Sequence, residues 1–343
     1  MRKGIWSPIP RDETVMKLRS ISCLAAILGL ATIPAAAQTH KTQAPSPPIE
    51  PGPYIVVDAH TGEALLQSNA GAPWYPASLT KLMTIYVVFQ ELKAGHLTLQ
   101  TPIVFSPYAV STIPTKLGLA AGQSVTVDQG LEALIAHSAN DVAVAFAERI
   151  SGSEPAFGDR MTKTAISLGM TSTTFGNADG LPNPDNKTTA RDLTLLAMAL
   201  VRDFPDYYGY FRTRYMTFGK RRIGPGVRFV SMYAPYADGL KTGYTCASGY
   251  NLVGSAVRDG RRLIGVALGF RRGDQRDEFL VKLFDQAFQI QPNADRPKVW
   301  ELQNEAGEPT VVFPEDNCPG NRRVVRRAVV STAAKPAAAA AAR

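Results

Sequence analysis

The chain of 343 residues is poor in cysteine and histidine, and lacks an apolar run long enough to cross a bilayer. Its three cysteines, Cys23, Cys246 and Cys318, are too few to form a disulfide framework for a chain of this size. The four histidines, His40, His60, His96 and His137, are scattered, with no H-E-x-x-H and no Cys-His cluster, so no metal and no cofactor is expected. The apolar stretch from Ile21 to Ile33 falls short of the roughly 20 residues that a bilayer span requires. A G-x-S-x-G elbow, one common setting for a nucleophilic serine, is also missing.

The formal net charge of +8 is an excess of base only at the two ends. Residues 1–37 hold five bases and two acids, and residues 321–343 hold six bases and no acid. What lies between has 26 bases against 27 acids, so nothing in its balance suggests a nucleic-acid partner. The basic, alanine-rich tail is expected to be disordered and to make at most a weak contact with an anionic wall polymer or membrane surface.

Lys17 and Arg19, the apolar stretch and Pro34-Ala35-Ala36-Ala37 have the order of a secretory signal peptide cut after Ala37. Met16 is an alternative start. Export and release into the periplasm are therefore expected, with no transmembrane segment in the mature chain. The expected plan is a signal peptide (1–37), a Pro-rich linker (38–53), a catalytic domain (54–290), a short extension (291–320) and the tail (321–343). In an oxidising compartment Cys246 and Cys318 can pair, but the sequence does not show that their backbones meet.

A β-branched run at 54–58 and its return at 64–67 predict a hairpin. A buried helix follows from Ser78 to Lys93, with Ser78 as its N-cap, and stops at Gly95. Helices are expected at 129–136, 141–150, 154–168 and 190–202, with Asp128 capping the first. Strands are expected at 239–245, 250–257 and 262–270, and a closing helix at 276–289. A further strand pair is expected at 298–302 with 310–313. Early and late strands in one sheet, with helices packed on it, make the class α+β.

Three short patterns occur once each: Ser78-Leu-Thr-Lys81, Ser138-Ala-Asn140 and Lys241-Thr242-Gly243. A spacing of three puts Ser78 and Lys81 on one helix face. Serine is a weak nucleophile and needs a base nearby, and lysine serves only when its proton is lost. Burial and a second cation, Lys241, are both expected to lower the pKa of Lys81. Each pattern alone is weak. Ser78 and Asn140 could simply cap helices, and Lys241-Thr242 could be an ordinary strand pair.

The ordered set resembles the serine penicillin-binding proteins and β-lactamases. PASLTKLMT, HSANDVA, TTARDL and DGLKTGYT, over roughly 52–290, look like the type-5 low-molecular-mass D-alanyl-D-alanine carboxypeptidases. The resemblance implies the penicillin-binding/β-lactamase-like transpeptidase fold, an antiparallel sheet flanked by helices with a helical subdomain. It implies an acyl-serine enzyme acting on peptidoglycan stem peptides that end in D-Ala-D-Ala, with β-lactams as covalent inhibitors. By that resemblance Ser78 is the nucleophile, Lys81 its base and Ser138 a proton relay. Asn140 orients the substrate amide, while Lys241, Thr242 and Arg276 hold the terminal carboxylate. The N–H groups of Ser78 and Tyr244 form the oxyanion hole, and Gly243 leaves room for a substrate strand. The resemblance to the family stretch around Arg276 is loose.

A D,D-endopeptidase shares these motifs. A class A β-lactamase needs a glutamate in an E-x-x-L-N segment before K-T-G, and that interval has none. An inactive wall-binding relative would have no need of Ser78, Lys81, Ser138, Asn140 and Lys241 together. Type-5 relatives usually carry an all-β second domain and an amphipathic membrane helix, neither of which is expected in the roughly 50 residues after 290.

Overall fold

The computed structural model describes residues 52–314 and 318. The expected signal peptide, nearly all of the linker and the basic tail lie outside the described residues.

The hairpin forms as the alternation predicts, with β1 at Tyr54–Asp58 and β2 at Ala64–Ser68. Asp58 closes its turn by accepting the N–H groups of His60 and Thr61. Three long strands follow late in the chain: β7 (Ala237–Thr245), β8 (Gly249–Arg258) and β9 (Arg261–Phe270). All pair antiparallel with their neighbours, and β1 joins β9 in the register Tyr54↔Ala267. The sheet order is β2-β1-β9-β8-β7, so early and late strands share one sheet and β7 is its edge.

The sheet is buried on both faces, and alternate residues enter different cores. Val56, Leu252, Leu263 and Ala267 pack with Leu280 and Phe284 of α8 (Gly273–Gln289). Ile55, Val57, Val253, Ile264 and Val266 face the larger core, which α1 (Lys81–Lys93) and the helices around it build. At its centre is α1, whose Leu82, Met83, Ile85, Val87, Val88 and Phe89 are all fully buried.

Around α1 lie β3 (Pro102–Val104), α2 (Pro107–Ser111), β4 (Ser124–Thr126), α3 (Val127–Ala136), α4 (Asn140–Ser151), α5 (Glu154–Ser167) and α6 (Ala190–Asp203). A small hairpin, β5 (Met216–Phe218) with β6 (Arg221–Ile223), and the short α7 (Arg228–Met232) lead into β7. The sequence pattern showed neither, because each is too short to establish a period.

Three local expectations are corrected. Ser78 is not an N-cap: it sits inside a 3-10 turn, Ala77–Thr80, that runs into α1. Thr126 rather than Asp128 caps α3, in a capping box with Gln129 that satisfies two backbone donors at once. The strand pair at 298–302 and 310–313 does not form. Val299–Glu301 is a 3-10 turn, and the N–H groups of Val312 and Phe313 go to the carbonyls of Ala247 and Cys246 at 2.8 and 3.0 Å.

Candidate active site

The turn carrying Ser78 is wedged between the edge strand and a loop. On one side, a Cβ on Gly243 would stand 2.9 Å from the Pro76 carbonyl oxygen and 3.1 Å from the Leu79 nitrogen. The glycine is therefore required by the approach of β7 to the serine's own turn, a requirement that holds before any substrate is present. On the other side, Gly180 has φ +78°, and a Cβ there would lie 1.9 Å from the Ala77 oxygen. Both contacts are backbone to backbone, so neither neighbour can rotate away.

Lys81 is fully buried at the start of α1. Its Nζ donates to Ser78 Oγ at 3.2 Å, Asn140 Oδ1 at 2.7 Å and the Asp179 carbonyl at 2.5 Å. Burial pushes its pKa down to about 8, while the charges of Asp179, Asp141 and Glu154 resist the shift. The repulsion expected from the second cation falls on the other partner: burial, with the charges of Lys81 and Arg276, holds Lys241 well below the usual lysine value. Burial likewise pushes the Asp179 carboxyl up, with Lys81 drawing it back.

With three acceptors around it, the ammonium form has every proton used. A neutral amine keeps two donors for Asn140 and Asp179 and turns its lone pair to Ser78, whose hydroxyl then donates. The cradle therefore suits both protonation states.

Ser138 lies between α3 and α4, with φ 58°, a left-handed conformation uncommon for serine. Its Oγ is buried and has no hydrogen-bond partner. Asn140 opens α4, 4% exposed, and both ends of its amide are taken: Oδ1 by Lys81, and Nδ2 by the Ile113 carbonyl at 2.9 Å. Its amide oxygen thus anchors the Lys81 amine at the edge of the cleft.

The cleft itself measures about 420 Å³. Ser78, Ser138, Lys241, Thr242, Gly243 and Tyr244 all border it, bringing residues from three distant stretches together. Arg276 borders it too, buried on α8 rather than in a surface pair. Its Nε and Nη2 donate to Asp277, and its Nη1 to the Asn251 carbonyl at 3.1 Å. Sequence reasoning missed Arg228 and Tyr250, which also line the cleft. Nothing local marks them, since each reaches the site only because α7 and β8 flank β7. It also missed Asp179, whose carbonyl holds the Lys81 amine.

The Tyr244 ring packs 4.2 Å from that of Tyr250, and its hydroxyl lies 3.8 Å from Cys318 Sγ. Cys246 and Cys318 are joined in a disulfide, with Cα atoms 5.5 Å apart. No group of three or more metal-ligating side chains occurs among the described residues.

A serine bonded to a buried lysine beside an edge strand, with cations at one end, is an arrangement suited to the serine acyl transfer of the penicillin-binding class. A family model described as D-alanyl-D-alanine carboxypeptidase, peptidase S11, matches residues 38–272, and the chain belongs to that family. It is 35% identical over 298 residues to the D-alanyl-D-alanine carboxypeptidase DacC of Escherichia coli, an alignment covering 82% of this chain and 74% of that one. Among solved structures it resembles penicillin-binding protein 5 from Haemophilus influenzae, at 32% identity with a TM-score of 0.67, covering 71% of this chain and 72% of that one. It also resembles penicillin-binding protein D2 from Listeria monocytogenes in its ampicillin-bound form, at 28% identity with a TM-score of 0.61, covering 71% of this chain and all of that one.

Proposed function

We infer that this chain is a serine D-alanyl-D-alanine carboxypeptidase, removing the terminal D-alanine from peptidoglycan stem peptides through an acyl-serine intermediate. The observation that carries the reading is the buried Lys81 amine, held against Ser78 with its pKa lowered to about 8.

In this reading, neutral Lys81 takes the proton of Ser78 as Oγ bonds to the carbonyl carbon between the two D-alanines. The N–H groups of Ser78 and Tyr244 stabilise the oxyanion, and loss of one such donor typically costs about 2.7–4 kcal/mol. Collapse breaks the C–N bond, and the leaving amine takes a proton through the unpartnered hydroxyl of Ser138. Lys81 then helps water to cleave the ester. The departing carboxylate is held by Lys241, Thr242 and Arg276. An arriving carboxylate would oppose the burial and the neighbouring cations that lower the Lys241 pKa, and so favour its charged form.

The same geometry argues against rapid β-lactam hydrolysis. Glu154 is occupied by the Ala178 N–H and the Tyr108 hydroxyl. The two acids lining the cleft, Asp274 and Asp277, are each paired with an arginine. Among the residues lining the cleft, no unpaired carboxylate is thus available to activate a deacylating water. Penicillin is therefore expected to form a slowly lost one-to-one adduct. Intact-mass spectrometry tests this: the adduct appears on the native chain and not on Ser78→Ala, and rapid turnover without an adduct would defeat the reading. Release of D-alanine from a pentapeptide, set against cleavage of cross-linked dimers, separates carboxypeptidase from endopeptidase.

We also propose that the enzyme works in the periplasm, with the basic tail as a weak electrostatic contact. No helix among the described residues is long and apolar enough to cross a membrane. Retention on isolated cell wall that salt weakens, and that removal of residues 321–343 abolishes, would support the contact.

A further inference from the structure

One stretch of the chain departs from the charge balance of the rest. Between Asp206 and Asp238 there are six bases, Arg212, Arg214, Lys220, Arg221, Arg222 and Arg228, and no acid. All six are exposed. Among the described residues, Arg212 alone of the six makes an ion pair, with Asp238 at 3.4 Å. A surface kept only for solubility mixes both signs, whereas this one gathers a single sign on and around the β5–β6 hairpin.

The fold holds these cations outward on a buried footing. In the register of β5 with β6, Met216 opposes Ile223 and both are buried, while Thr217 opposes Arg222 and both are exposed. The Arg222 guanidinium lies 3.8 Å from the centre of the exposed Tyr215 ring, and that of Arg214 lies 5.9 Å from it. The ring thus keeps two guanidinium groups close together without neutralising either.

The hairpin stands on the Ser138 side of the cleft. Arg221 Nη1 donates to the Leu117 carbonyl at 3.0 Å. In the same loop, the Thr115 hydroxyl donates to the Ser138 carbonyl at 3.1 Å, and the Thr115 carbonyl accepts the Asn140 N–H at 2.7 Å. The Gly226 N–H donates to the Arg214 carbonyl at 2.7 Å, and two residues further on Arg228 lines the cleft itself. The cations therefore run from the nucleophile's cleft outward along the hairpin.

The stem peptide being cleaved already has Lys241, Thr242 and Arg276 for its terminal carboxylate, so the outer cations are left for a different anion. The wall polymer supplies one, because each neighbouring stem ends in a carboxylate of its own. We propose that Arg214, Lys220 and Arg222 form a docking surface for the carboxylates of stem peptides beyond the one in the cleft, so that the enzyme prefers polymeric to monomeric substrate. This deepens the carboxypeptidase reading above and rests on it. A second contact on the same polymer raises the effective concentration of the first, and a patch of one sign speeds encounter with an oppositely charged partner.

The test is a triple charge reversal, Arg214→Glu with Lys220→Glu and Arg222→Glu, in the otherwise native chain. It leaves Arg228 and every other residue of the cleft untouched. Release of D-alanine is measured from diacetyl-lysyl-D-Ala-D-Ala, whose only carboxylate is the terminal one, and from soluble uncross-linked peptidoglycan carrying many stems. A neutral counterpart, Arg214→Gln with Lys220→Gln and Arg222→Gln, is run beside it.

At about 0.05 M salt the reversed variant is expected to lose about tenfold in kcat/KM on the polymer, chiefly through KM, and to stay within about twofold on the small peptide; the neutral variant should lose a few-fold on the polymer alone. At about 0.5 M salt the native chain should lose its advantage, and the three should converge. An unchanged small-peptide rate also certifies that a variant is folded. Equal losses on both substrates in both variants, or no loss on the polymer, would overturn the docking surface. So would binding to vesicles of anionic phospholipid that the reversal abolishes while the polymer rate stays unchanged, which would assign the patch to a membrane instead. If the native chain releases D-alanine from neither substrate, the carboxypeptidase reading falls. Salt-sensitive binding to the polymer that the reversal abolishes would then still uphold the docking surface, and equal binding by both chains would overturn it.

Discussion

Ser138 combines a left-handed backbone with a buried hydroxyl that bonds to nothing. Such a group contributes little to the fold and holds a conformation that itself costs about 1–3 kcal/mol. Ser138→Ala is therefore expected to leave the melting temperature nearly unchanged while slowing acylation roughly 10²–10⁴-fold, the usual worth of a proton-transfer group. A parallel loss of stability would make Ser138 structural instead. Lys81 makes the second residue-scale prediction. Since only its neutral form accepts the Ser78 proton, kcat/KM should climb with pH and level off above about pH 8. Stability should move the same way. From about pH 8 to the ordinary value of 10.5 the unfolded lysine binds more protons than the folded one, so unfolding becomes harder as pH rises through that window. A pH–rate profile and melting curves across this range check both signs. The motif serines and lysines were legible in the sequence because their spacing is local. The partners of Asn140 and Lys81 were not, since Ile113 and Asp179 come from loops whose path no pattern encodes.

Among the elements, the 3-10 turn of Ser78 is held by two glycines from different directions. Adding a methyl group at Gly243 pushes β7 off the Pro76 oxygen and the Leu79 nitrogen. Gly243→Ala is expected to cost about 1–3 kcal/mol by overpacking and to slow acylation far more than that loss of stability implies. Labelled-penicillin kinetics beside thermal melting would show the difference, and an unperturbed acylation rate would refute it. The strand pattern was legible here: the β-branched and alternating runs predicted β1, β7, β8 and β9 to within about two residues. The close packing at Gly243 was not, because its neighbours Pro76 and Leu79 come from a turn distant in the sequence.

Over the whole molecule, the disulfide ties Cys318 back to the end of β7 across 72 residues. Loop-closure entropy for a span of that size is worth at most about 4 kcal/mol. Reduction, or Cys318→Ser, is thus expected to lower the melting temperature; a melting curve indifferent to reductant would show that the link contributes nothing. Phe313, 8% exposed, and the two backbone bonds to Cys246 and Ala247 hold residues 312–313 at the same place without the sulfur.

The amino-acid sequence determined the class of protein by itself. The hydrophobic periods set which segments become strands and helices, and three short motifs resemble, in order, those of the serine penicillin-binding class. Those signals are local, so they survive in one dimension. Only the tertiary structure decided that Asn140 spends its amide on the lysine, that Arg276 and Arg228 border the same cleft, and that Cys246 meets Cys318. It also decided that Arg221 of the basic hairpin bonds to the loop beside Ser138. Each of these depends on which distant segments the packing brings within a few ångströms, and chain-local patterning carries no record of that distance.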